Sequence, residues 1–299
     1  MKFSLRQMQV FQRVAEFQSV SEAAKALNMT QSAASMALAQ LESLLGKPLF
    51  NRHGRTMALT SWGVWLRPQV QQLLANCHTI EMGMKERDLV SGQISVGASQ
   101  TPAAYLIPEL ICRLDRDFPQ LQVRLGIENT EHVINGLLDY RFDLGMIEGH
   151  CDDERIELQR LCEDELVIVA SAQHPFAQRD ETSLTQLEMA HWILRERGAG
   201  TREIFDISIH EHLDQIKVHR EYDHVGVIIA LVKQGNYLTC LSRRSVQQAV
   251  SQGELAILNI PELDMARDFS FVWRKQEAAS PIRSVIMKTA NSVVAAHYQ

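Results

Sequence analysis

Two short segments of this chain combine hydroxyl, amide and glycine groups in a way that suits the binding of a small anion. Ser99, Gln100 and Thr101 follow an apolar run and precede a helical pattern. The segment 197–202 also precedes a helical pattern, and its glycines let backbone N–H groups approach a ligand closely. The unpaired N–H groups at a helix start favour a negative group. We therefore expect a carboxylate or a sulfur or phosphorus oxyanion to bind here.

The residues expected at this site lie at the ends of predicted strands, because ligands of open α/β sheets bind beyond the carboxyl ends of the strands. They are Ser99, Gln100, Thr101, Asn129, Thr130, Glu148, Arg197, Gly198, Ala199, Gly200, Thr201 and Arg202. Arg195, Arg197 and Arg202 are candidates for the countercharge, although an arginine in such a loop is about as often a surface residue. The segment is not a dinucleotide loop, since Glu203 stands where a third glycine is needed.

Two histidine-containing segments resemble metal sites, but neither has the spacing that metal ligands need. His210 and His212 are two residues apart on a predicted helix and point away from each other, whereas zinc pairs are four apart. The segment 150–153 has suitable ligand types but no partner at metal-site spacing. The five cysteines, Cys77, Cys112, Cys151, Cys162 and Cys240, contain no C-x-x-C pair. We predict no metal, no other cofactor, and free thiols in a reducing cytosol.

A different chemistry is predicted near the N-terminus, where two short helices are separated by a turn. Ser21 is a candidate N-cap for a helix that ends near Asn28, and Thr30 is a candidate N-cap for the next one. The second helix has one apolar face, and Gly46 closes it as a left-handed C-cap. The residues of that face are Ala34, Leu38, Leu41 and Leu45. This is the pattern of a helix-turn-helix, whose second helix enters the major groove of DNA.

The residues that we expect to contact DNA are Thr30, Gln31, Ser32, Ser35, Arg52 and Arg55. Gln31 is the best candidate for reading bases, because its amide can pair with adenine N6 and N7. Thr30 lies at the helix start, and Arg52 and Arg55 lie on a predicted β-wing over 50–60, so all three are expected to hold phosphates. Ser32 and Ser35 could instead be solvated surface residues.

Composition supports a basic head on an acidic body. The chain has 299 residues and a net charge of −6, but residues 1–60 hold seven basic and three acidic side chains. This uneven distribution suits a phosphate-binding module attached to a domain with a separate function. The length suits two or three domains. No segment approaches the ~20 consecutive apolar residues of a membrane span. We expect a cytoplasmic protein without a membrane partner.

Three further patterns organise the chain. Leu5, Met8, Phe11, Val14 and Ala15 predict an amphipathic first helix. A heptad pattern then predicts a long helix that pairs with a second copy, although packing on its own body is the alternative. Its apolar positions are Leu66, Val70, Leu73, Cys77, Ile80 and Met84. From residue 91, extended runs alternate with helical patterns, which predicts parallel sheets with helical crossovers in two α/β lobes. We expect single helices over 103–118 and 131–140, and two extended runs within 156–170.

The whole chain resembles the LysR-type transcriptional regulators. Its N-terminal part carries this resemblance in Ala23-Ala24-x-x-Leu27, Thr30-Gln31-Ser32-Ala33-x-Ser35, Leu41-Glu42-x-x-Leu45-Gly46, Leu49-Phe50-x-Arg52, Leu59-Thr60 and Gly63. The rest carries it in Gly97-Ala98-Ser99-x-Thr101, Tyr105-Leu106-x-Pro108, Phe118-Pro119, Asp143-Leu144-Gly145 and the run 193–202. The resemblance implies a winged helix-turn-helix, a linker helix that pairs two subunits, and a periplasmic-binding-protein-like domain with a ligand between its lobes. Such proteins are commonly dimers of dimers.

Three positions depart from the family pattern. Ala199 stands where a serine is common, which removes one possible hydroxyl ligand. Trp62 replaces a small residue and could pack against the wing. Gly235-Asn236-Tyr237 replaces a more usual G-x-G-[IV], so the rim of the second lobe could be reshaped.

The expected organisation is a DNA-binding domain over 1–59, a dimerisation helix over 60–90 and an effector-binding domain over 91–299. Within the last, we expect lobe I at 91–163 and 267–299 and lobe II at 164–266. The expected function is transcriptional regulation controlled by a small anionic effector, with double-stranded promoter DNA, a second copy of the chain and RNA polymerase as partners. The alternative is a small-molecule-binding or enzymatic α/β protein with an N-terminal assembly domain. No Ser/His/Asp or Cys/His motif at recognisable spacing supports catalysis.

Overall fold

The computed structural model describes residues 3–53, 56–84, 90–210, 216–263 and 265–297. The chain forms two compact units, Met1–Asp88 and Leu89–Gln299, each with its own hydrophobic core. Within the described ranges, no helix combines the length and the apolar character needed to span a membrane.

The first unit contains four helices and a two-stranded antiparallel hairpin in its described part. The helices are α1 (Leu5–Phe17), α2 (Val20–Ala26), α3 (Gln31–Leu45) and α4 (Ser61–Met84), and the strands are β1 (Phe50–His53) and β2 (Thr56–Leu59). Thr30 caps α3 as predicted, and Gly46 ends it in the left-handed conformation at φ 69°. The predicted cap of α2 was wrong, because Ser19 rather than Ser21 accepts the hydrogen bond from the N–H of Glu22.

The core of this unit lies between α1, α3 and the hairpin. Phe11 and Val14 of α1 are fully buried, as are Ala34 and Leu41 of α3. Leu5 does not belong to the buried face of α1, contrary to the prediction, because its side chain is 46% exposed. The helix-turn-helix is therefore held by an apolar layer on the side of α3 away from solvent.

The hairpin is attached to α3 by a carboxylate. Glu42 accepts hydrogen bonds from the backbone N–H groups of Leu49 and Phe50, at 2.7 and 3.2 Å. Gly63 allows α4 to approach the same segment, since a Cβ at this position would lie 2.2 Å from the carbonyl oxygen of Leu49. Glu42 thus ties the hairpin to α3, and Gly63 leaves room for α4 beside Leu49.

Two of the predicted heptad positions of α4 pack inside the first unit. Leu66 and Val70 are buried in the core that α1 and α3 form, so these positions do not face a partner helix. Leu73 is 36% exposed and Cys77 is half-buried. The side chains of Ile80 and Met84 lie outside the described residues.

The second unit is an α/β structure with alternating strands and helices. Its strands are β3 (Gly92–Ala98), β4 (Leu121–Ile127), β5 (Leu144–Glu148), β6 (Ile156–Ser171), β7 (His191–Arg195), β8 (Lys217–Tyr222), β9 (Leu238–Ser242), β10 (Leu255–Ile257) and β11 (Ala266–Arg274). Its helices are α5 (Gln100–Tyr105), α6 (Ile107–Asp117), α7 (Thr130–Leu138), α8 (Leu184–Glu188), α9 (Gly200–His210), α10 (Val225–Gln234), α11 (Arg243–Ser251) and α12 (Pro281–His297), with a 3-10 turn at Pro175–Gln178.

The strand order is β4-β3-β5-β11-β6-β9-β7-β8, with β10 paired to β6. The pairs of β3 with β4 and β5 are parallel, as are those of β7 with β8 and β9. The long strands β6 and β11 are antiparallel and connect the two parallel sets. This is the predicted two-lobed α/β architecture. One lobe has a core that includes Cys162 and Phe269, and the other has a core that includes Leu166 and Met265.

Three predicted elements of this unit differ in the structure. The helix expected over 103–118 is two helices, because Pro108 at the start of α6 has no N–H to continue α5. The two extended runs within 156–170 are one strand, since β6 pairs first with β11 and then with β9. The helix expected over 131–140 begins at Thr130, with Asn129 as its N-cap, and ends at Leu138.

Candidate functional site

The N-terminal edge of α3 presents the residues that the sequence assigned to DNA. Gln31 and Ser32 are exposed and Ser35 is half-buried. The hydroxyl of Thr30 accepts a hydrogen bond from the N–H of Ala33 at 3.2 Å and lies 3.1 Å from the hydroxyl of Ser32. Thr30 therefore stabilises the start of α3 in addition to its proposed phosphate contact.

The predicted wing is present as the hairpin of β1 and β2. Arg52 belongs to β1, but its side chain and the whole of Arg55 lie outside the described residues. Trp62, expected near the wing, is 48% exposed, and the ammonium group of Lys47 lies 5.0 Å from the centre of its ring.

The carboxyl ends of the strands in the second unit bring residues of both lobes together. Ser99 precedes α5 and is buried, and its hydroxyl has no hydrogen-bond partner among the described residues. Thr101 and Thr201 are also buried, near the starts of α5 and α9. Glu148 is the last residue of β5 and is 1% exposed. Hydroxyl groups and a carboxylate therefore converge between the lobes.

Arg267 of β11 lies at the centre of this arrangement, with its side chain fully buried. It donates hydrogen bonds to the hydroxyl of Thr201 at 2.8 Å and to that of Thr101 at 3.2 Å. Its Nη2 lies 3.2 Å from Oε2 of Glu148, without the alignment of a hydrogen bond. The hydroxyl of Thr201 also donates to Oε1 of Glu148 at 3.2 Å. One guanidinium thus connects the two lobes and the strand that runs between them.

A second carboxylate binds the other side of the guanidinium. Asp164 of β6 is buried and accepts from Nε of Arg267 at 2.8 Å. Its other oxygen accepts from the hydroxyl of Ser242 at 2.8 Å and lies 3.2 Å from Nε of Arg244. The cluster therefore contains two carboxylates and two guanidinium groups, of which that of Arg244 is only half-buried, so its charges balance.

Direct hydrogen bonds also join the lobes beside this cluster. The N–H of Glu131 donates to the carbonyl oxygen of Gly198 at 3.0 Å. The amide of Asn129 donates to Glu196 at 3.2 Å. The backbone of Gly200 packs directly against that of Glu148, because a Cβ at Gly200 would lie 2.0 Å from the carbonyl oxygen of Glu148. Thr130, which donates to the same carbonyl at 2.9 Å, belongs to this contact.

Several other expected ligand residues are occupied by protein partners. The guanidinium of Arg202 binds Asp206 at 2.8 Å and Glu221 at 2.5 Å. Arg195 is buried and binds Glu196, and its Nη1 has no hydrogen-bond partner among the described residues.

Two further candidates lie at the edges of the site. The side chain of Gln100 bonds to the backbone of Asp223 and Val225, across the lobes. Arg197 is exposed, whereas Ala199 is buried. Of the arginines that the sequence proposed as countercharge, none lies in the Arg267 cluster.

A separate acidic cleft of about 410 Å³ lies beside the lobe contact. Its lining includes Glu131, His150, Cys151, Asp152 and Glu203. Partial burial raises the pKa of the Glu203 carboxyl, against the opposing effect of His150. Among the described residues, no three such side chains form a metal-binding group. Of His210 and His212, which the sequence analysis rejected as metal ligands, His212 lies outside the described residues.

Sequence reasoning missed Arg267 and Asp164. Each is a charged residue at a strand position whose neighbours on the same face are apolar: Arg267 is two residues before Phe269, and Asp164 lies between Cys162 and Leu166 at alternate positions. A buried charge needs a partner, so each interruption of a strand pattern was a usable signal. The pairing itself depends on strands that are about a hundred residues apart in the chain.

Two family models match this chain. The LysR substrate binding domain matches residues 87–290, and the helix-turn-helix of the bacterial regulatory proteins of the lysR family matches residues 5–64. A similar protein is the uncharacterized HTH-type transcriptional regulator YeiE of Escherichia coli K12. It is 37% identical over 274 residues, which cover 92% of this chain and 91% of the relative.

Solved structures share the fold. Full-length CbnR complexed with its target DNA has a TM-score of 0.67 at 20% identity, over 97% of this chain and 99% of that chain. The regulatory domain of CcmR from Synechocystis PCC6803, in complex with 2-PG, has a TM-score of 0.63 at 24% identity. That alignment covers 68% of this chain and 97% of the CcmR domain.

Proposed function

This chain belongs to the LysR family of bacterial helix-turn-helix regulators, and on that premise we propose that it regulates transcription in response to a small anion. In this proposal α3 reads promoter DNA, α4 pairs two copies of the chain, and the anion binds between the lobes of the second unit. The protein acts in the cytoplasm, and RNA polymerase is a partner. No catalytic role is part of the proposal.

The observation that carries the DNA-binding role is the exposed polar edge of α3. Gln31 and Ser32 face solvent while the opposite side of the helix is packed in the core. A glutamine amide can pair with adenine N6 and N7 in the major groove. Arg52 and Arg55 are proposed, from sequence, to hold phosphates beside it.

Pairing of two chains is supported by the surface of α4. Trp62, Trp65 and Leu73 lie on one face of the helix and are 48%, 63% and 36% exposed. Exposed apolar groups at this density mark a surface that another protein covers. We assign a second copy of this chain to it, and the target is then an inverted repeat.

The anion site is proposed at the Arg267 cluster. Ser99 offers an unpartnered hydroxyl, Thr101 and Thr201 offer two more, and Arg267 supplies the positive charge. Arg267 keeps its carboxylate partners Glu148 and Asp164, and its guanidinium can donate to the anion as well, because it carries five N–H groups. The CcmR domain, which has the same fold, was solved with the small molecule 2-PG, which supports a small ligand in this unit. Asn129, Thr130 and the segment 197–202 form the rest of the proposed site.

Control of DNA binding follows from the two lobes. Arg267 joins Thr101 of one lobe to Thr201 of the other, so a ligand that replaces these contacts changes the relation between the lobes. The ligand shifts the protein between states only by its difference in affinity for them. We propose that this change reaches DNA by altering the spacing of the paired helix-turn-helix units.

DNA binding is tested by selecting ligands of the full-length protein from a library of random duplexes and measuring affinity at rising salt. A basic head should lose affinity steeply as salt increases, because phosphate contacts release counterions. Gln31→Ala should weaken binding and relax one base position. Failure to retain any duplex at low salt would favour the alternative of an α/β protein with an assembly domain.

The effector class is tested by thermal shift with a panel of small carboxylates, sulfur oxyanions and phosphorus oxyanions. A ligand at a hundred times its dissociation constant stabilises the folded state by ~2.7 kcal/mol. Thr201→Val should remove the response while leaving a folded protein. A response to neutral or cationic compounds alone would contradict the anion assignment.

A further inference from the structure

The exposed face of α3 has an unusual composition for a helix that meets a polyanion. The sequence of the helix is QSAASMALAQLESLL, and its one charged residue is Glu42, which binds the hairpin backbone. No lysine or arginine of this helix is available for phosphates or for guanine. The bases that α3 reads must therefore be recognised by uncharged groups.

Met36 occupies the centre of this face. It lies two residues after the buried Ala34 and two before the buried Leu38, so at 100° per residue it points away from the core. It is one turn beyond Ser32, an exposed serine that is expected to contact DNA. Its side chain is 63% exposed, which makes it the most exposed of the large apolar residues on α3.

The chemistry of a methionine limits what it can recognise on DNA. A thioether chain cannot neutralise a phosphate or donate to guanine O6 and N7, as arginine and lysine do. Its flexible, polarizable chain suits apolar contact. In the major groove, the apolar feature that distinguishes one base pair from another is the C5-methyl group of thymine.

We propose that Met36 determines part of the DNA sequence preference by packing on the C5-methyl group of a thymine. Together with Gln31 on adenine, it specifies the half-site under α3 through A·T pairs rather than through guanine. This inference rests on the proposed function of α3 as the recognition helix, and it adds a residue and a base that the sequence did not assign.

The test uses the full-length protein and the best duplex selected from the random library. Each thymine of the half-site is replaced in turn by deoxyuridine, which pairs identically but lacks the methyl group. One replacement should weaken binding by the wild-type protein about four-fold, the affinity equivalent of ~0.8 kcal/mol for one buried methyl-sized group. Met36→Ala should bind the unmodified duplex at least as weakly as the wild type binds the deoxyuridine duplex. Its affinity should not change when that thymine is replaced.

A matched control is Met189→Ala, because Met189 is 81% exposed and lies in the other unit. It should keep both the affinity and the response to deoxyuridine. Met36→Arg should shift the selected half-site towards guanine. Because Met36 is exposed, its variants should keep the thermal midpoint of the wild type, and this is measured in parallel.

The outcomes separate this inference from the proposed function. If the wild type and Met36→Ala respond equally to every deoxyuridine, the thymine contact is wrong while the DNA-binding role stands. If the wild type retains no duplex from the library, the DNA-binding role fails and the inference fails with it.

Discussion

Arg267 and Glu148 form an ion pair whose two side chains are 0% and 1% exposed, with Nη2 and Oε2 3.2 Å apart. A buried charge is tolerated only when it is paired, so each of these residues depends on the other. Arg267 also binds Asp164, which gives the guanidinium a second buried carboxylate. The pair lies where the two lobes meet, so the stability of the second unit and the binding of an anion share the same residues.

Arg267→Met should destabilise the protein by about 3–5 kcal/mol, because it leaves Glu148 buried without a cation. At roughly 2–4 °C per kcal/mol, the thermal midpoint should fall by roughly 6–20 °C. The double variant Arg267→Met with Glu148→Gln should recover part of that loss. Arg160→Ala is the control, since its partners Glu163 and Asp268 are 77% and 41% exposed and Arg160 itself is 55% exposed, so it should change the midpoint little. Equal losses in the two single arginine variants would contradict this account.

Gly200→Ala should disturb the contact between the lobes, because its Cβ would lie 2.0 Å from the carbonyl oxygen of Glu148. We expect a loss of about 1–3 kcal/mol from overpacking and a weaker response to anions in thermal shift. Gly226→Ala is the control. Its Cβ would meet only the ring of His224 at 3.1 Å, in an exposed part of α10, so its stability should be unchanged or slightly higher. If Gly200→Ala kept the stability and the anion response of the wild type, Gly200 would not lie this close to the carbonyl oxygen of Glu148.

Thr30→Ala should destabilise the first unit by about 1 kcal/mol, because the N–H of Ala33 loses its cap. Thr30→Ser keeps the hydroxyl and should behave like the wild type. Both variants are compared by thermal unfolding and by DNA affinity. If they lose the same stability, the threonine contributes through its methyl group and not through the cap.

His174 should make the stability of the second unit depend on pH. Burial lowers the pKa of His174 below its usual 6.5, and its Nδ1 accepts a hydrogen bond from the N–H of Phe176 at 3.1 Å. The unfolded chain takes up the proton first as pH falls, so the contribution is present above pH 6.5 and is lost as pH falls through the lower folded pKa.

We expect the thermal midpoint to fall between about pH 7.5 and about pH 5.5, and to fall less in His174→Asn, which retains an acceptor for the N–H of Phe176. The two proteins differ only at residue 174, so the difference between their curves isolates His174. Parallel midpoint curves for the two proteins would exclude this role.

The cysteines should differ in reactivity towards iodoacetamide at about pH 8, because the thiolate is the nucleophile. Burial raises the pKa of Cys162 to about 11 and that of Cys240 to about 12, whereas Cys112 is exposed. Mass spectrometry should find Cys112 labelled first and Cys240 last. Early labelling of Cys240 would show that the core of the second lobe opens under native conditions.

Local features of the chain were predictable from sequence wherever neighbouring residues determine them. The cap at Thr30, the end of α3 at Gly46 and the alternation of strands and helices each depend on residues close together in the chain. Errors occurred where a distant partner mattered. Leu66 and Val70 match a heptad, but they are buried in the core of the first unit, where α4 packs against α1, and sequence spacing does not reveal which surface an apolar face meets.

The sequence by itself determined the two modules of this protein and the regulator family to which they belong, because capping, periodicity and motif spacing are local properties. Only the tertiary structure decided what lies between the lobes. Arg267 meets Thr101 and Thr201 because β11 passes between the starts of α5 and α9, which are a hundred residues apart in the chain. The arginines that the sequence proposed, such as Arg202, bind carboxylates outside this cluster. Which arginine lies between the lobes depends on contacts between strands that are far apart in the chain, and folding alone brings those partners together.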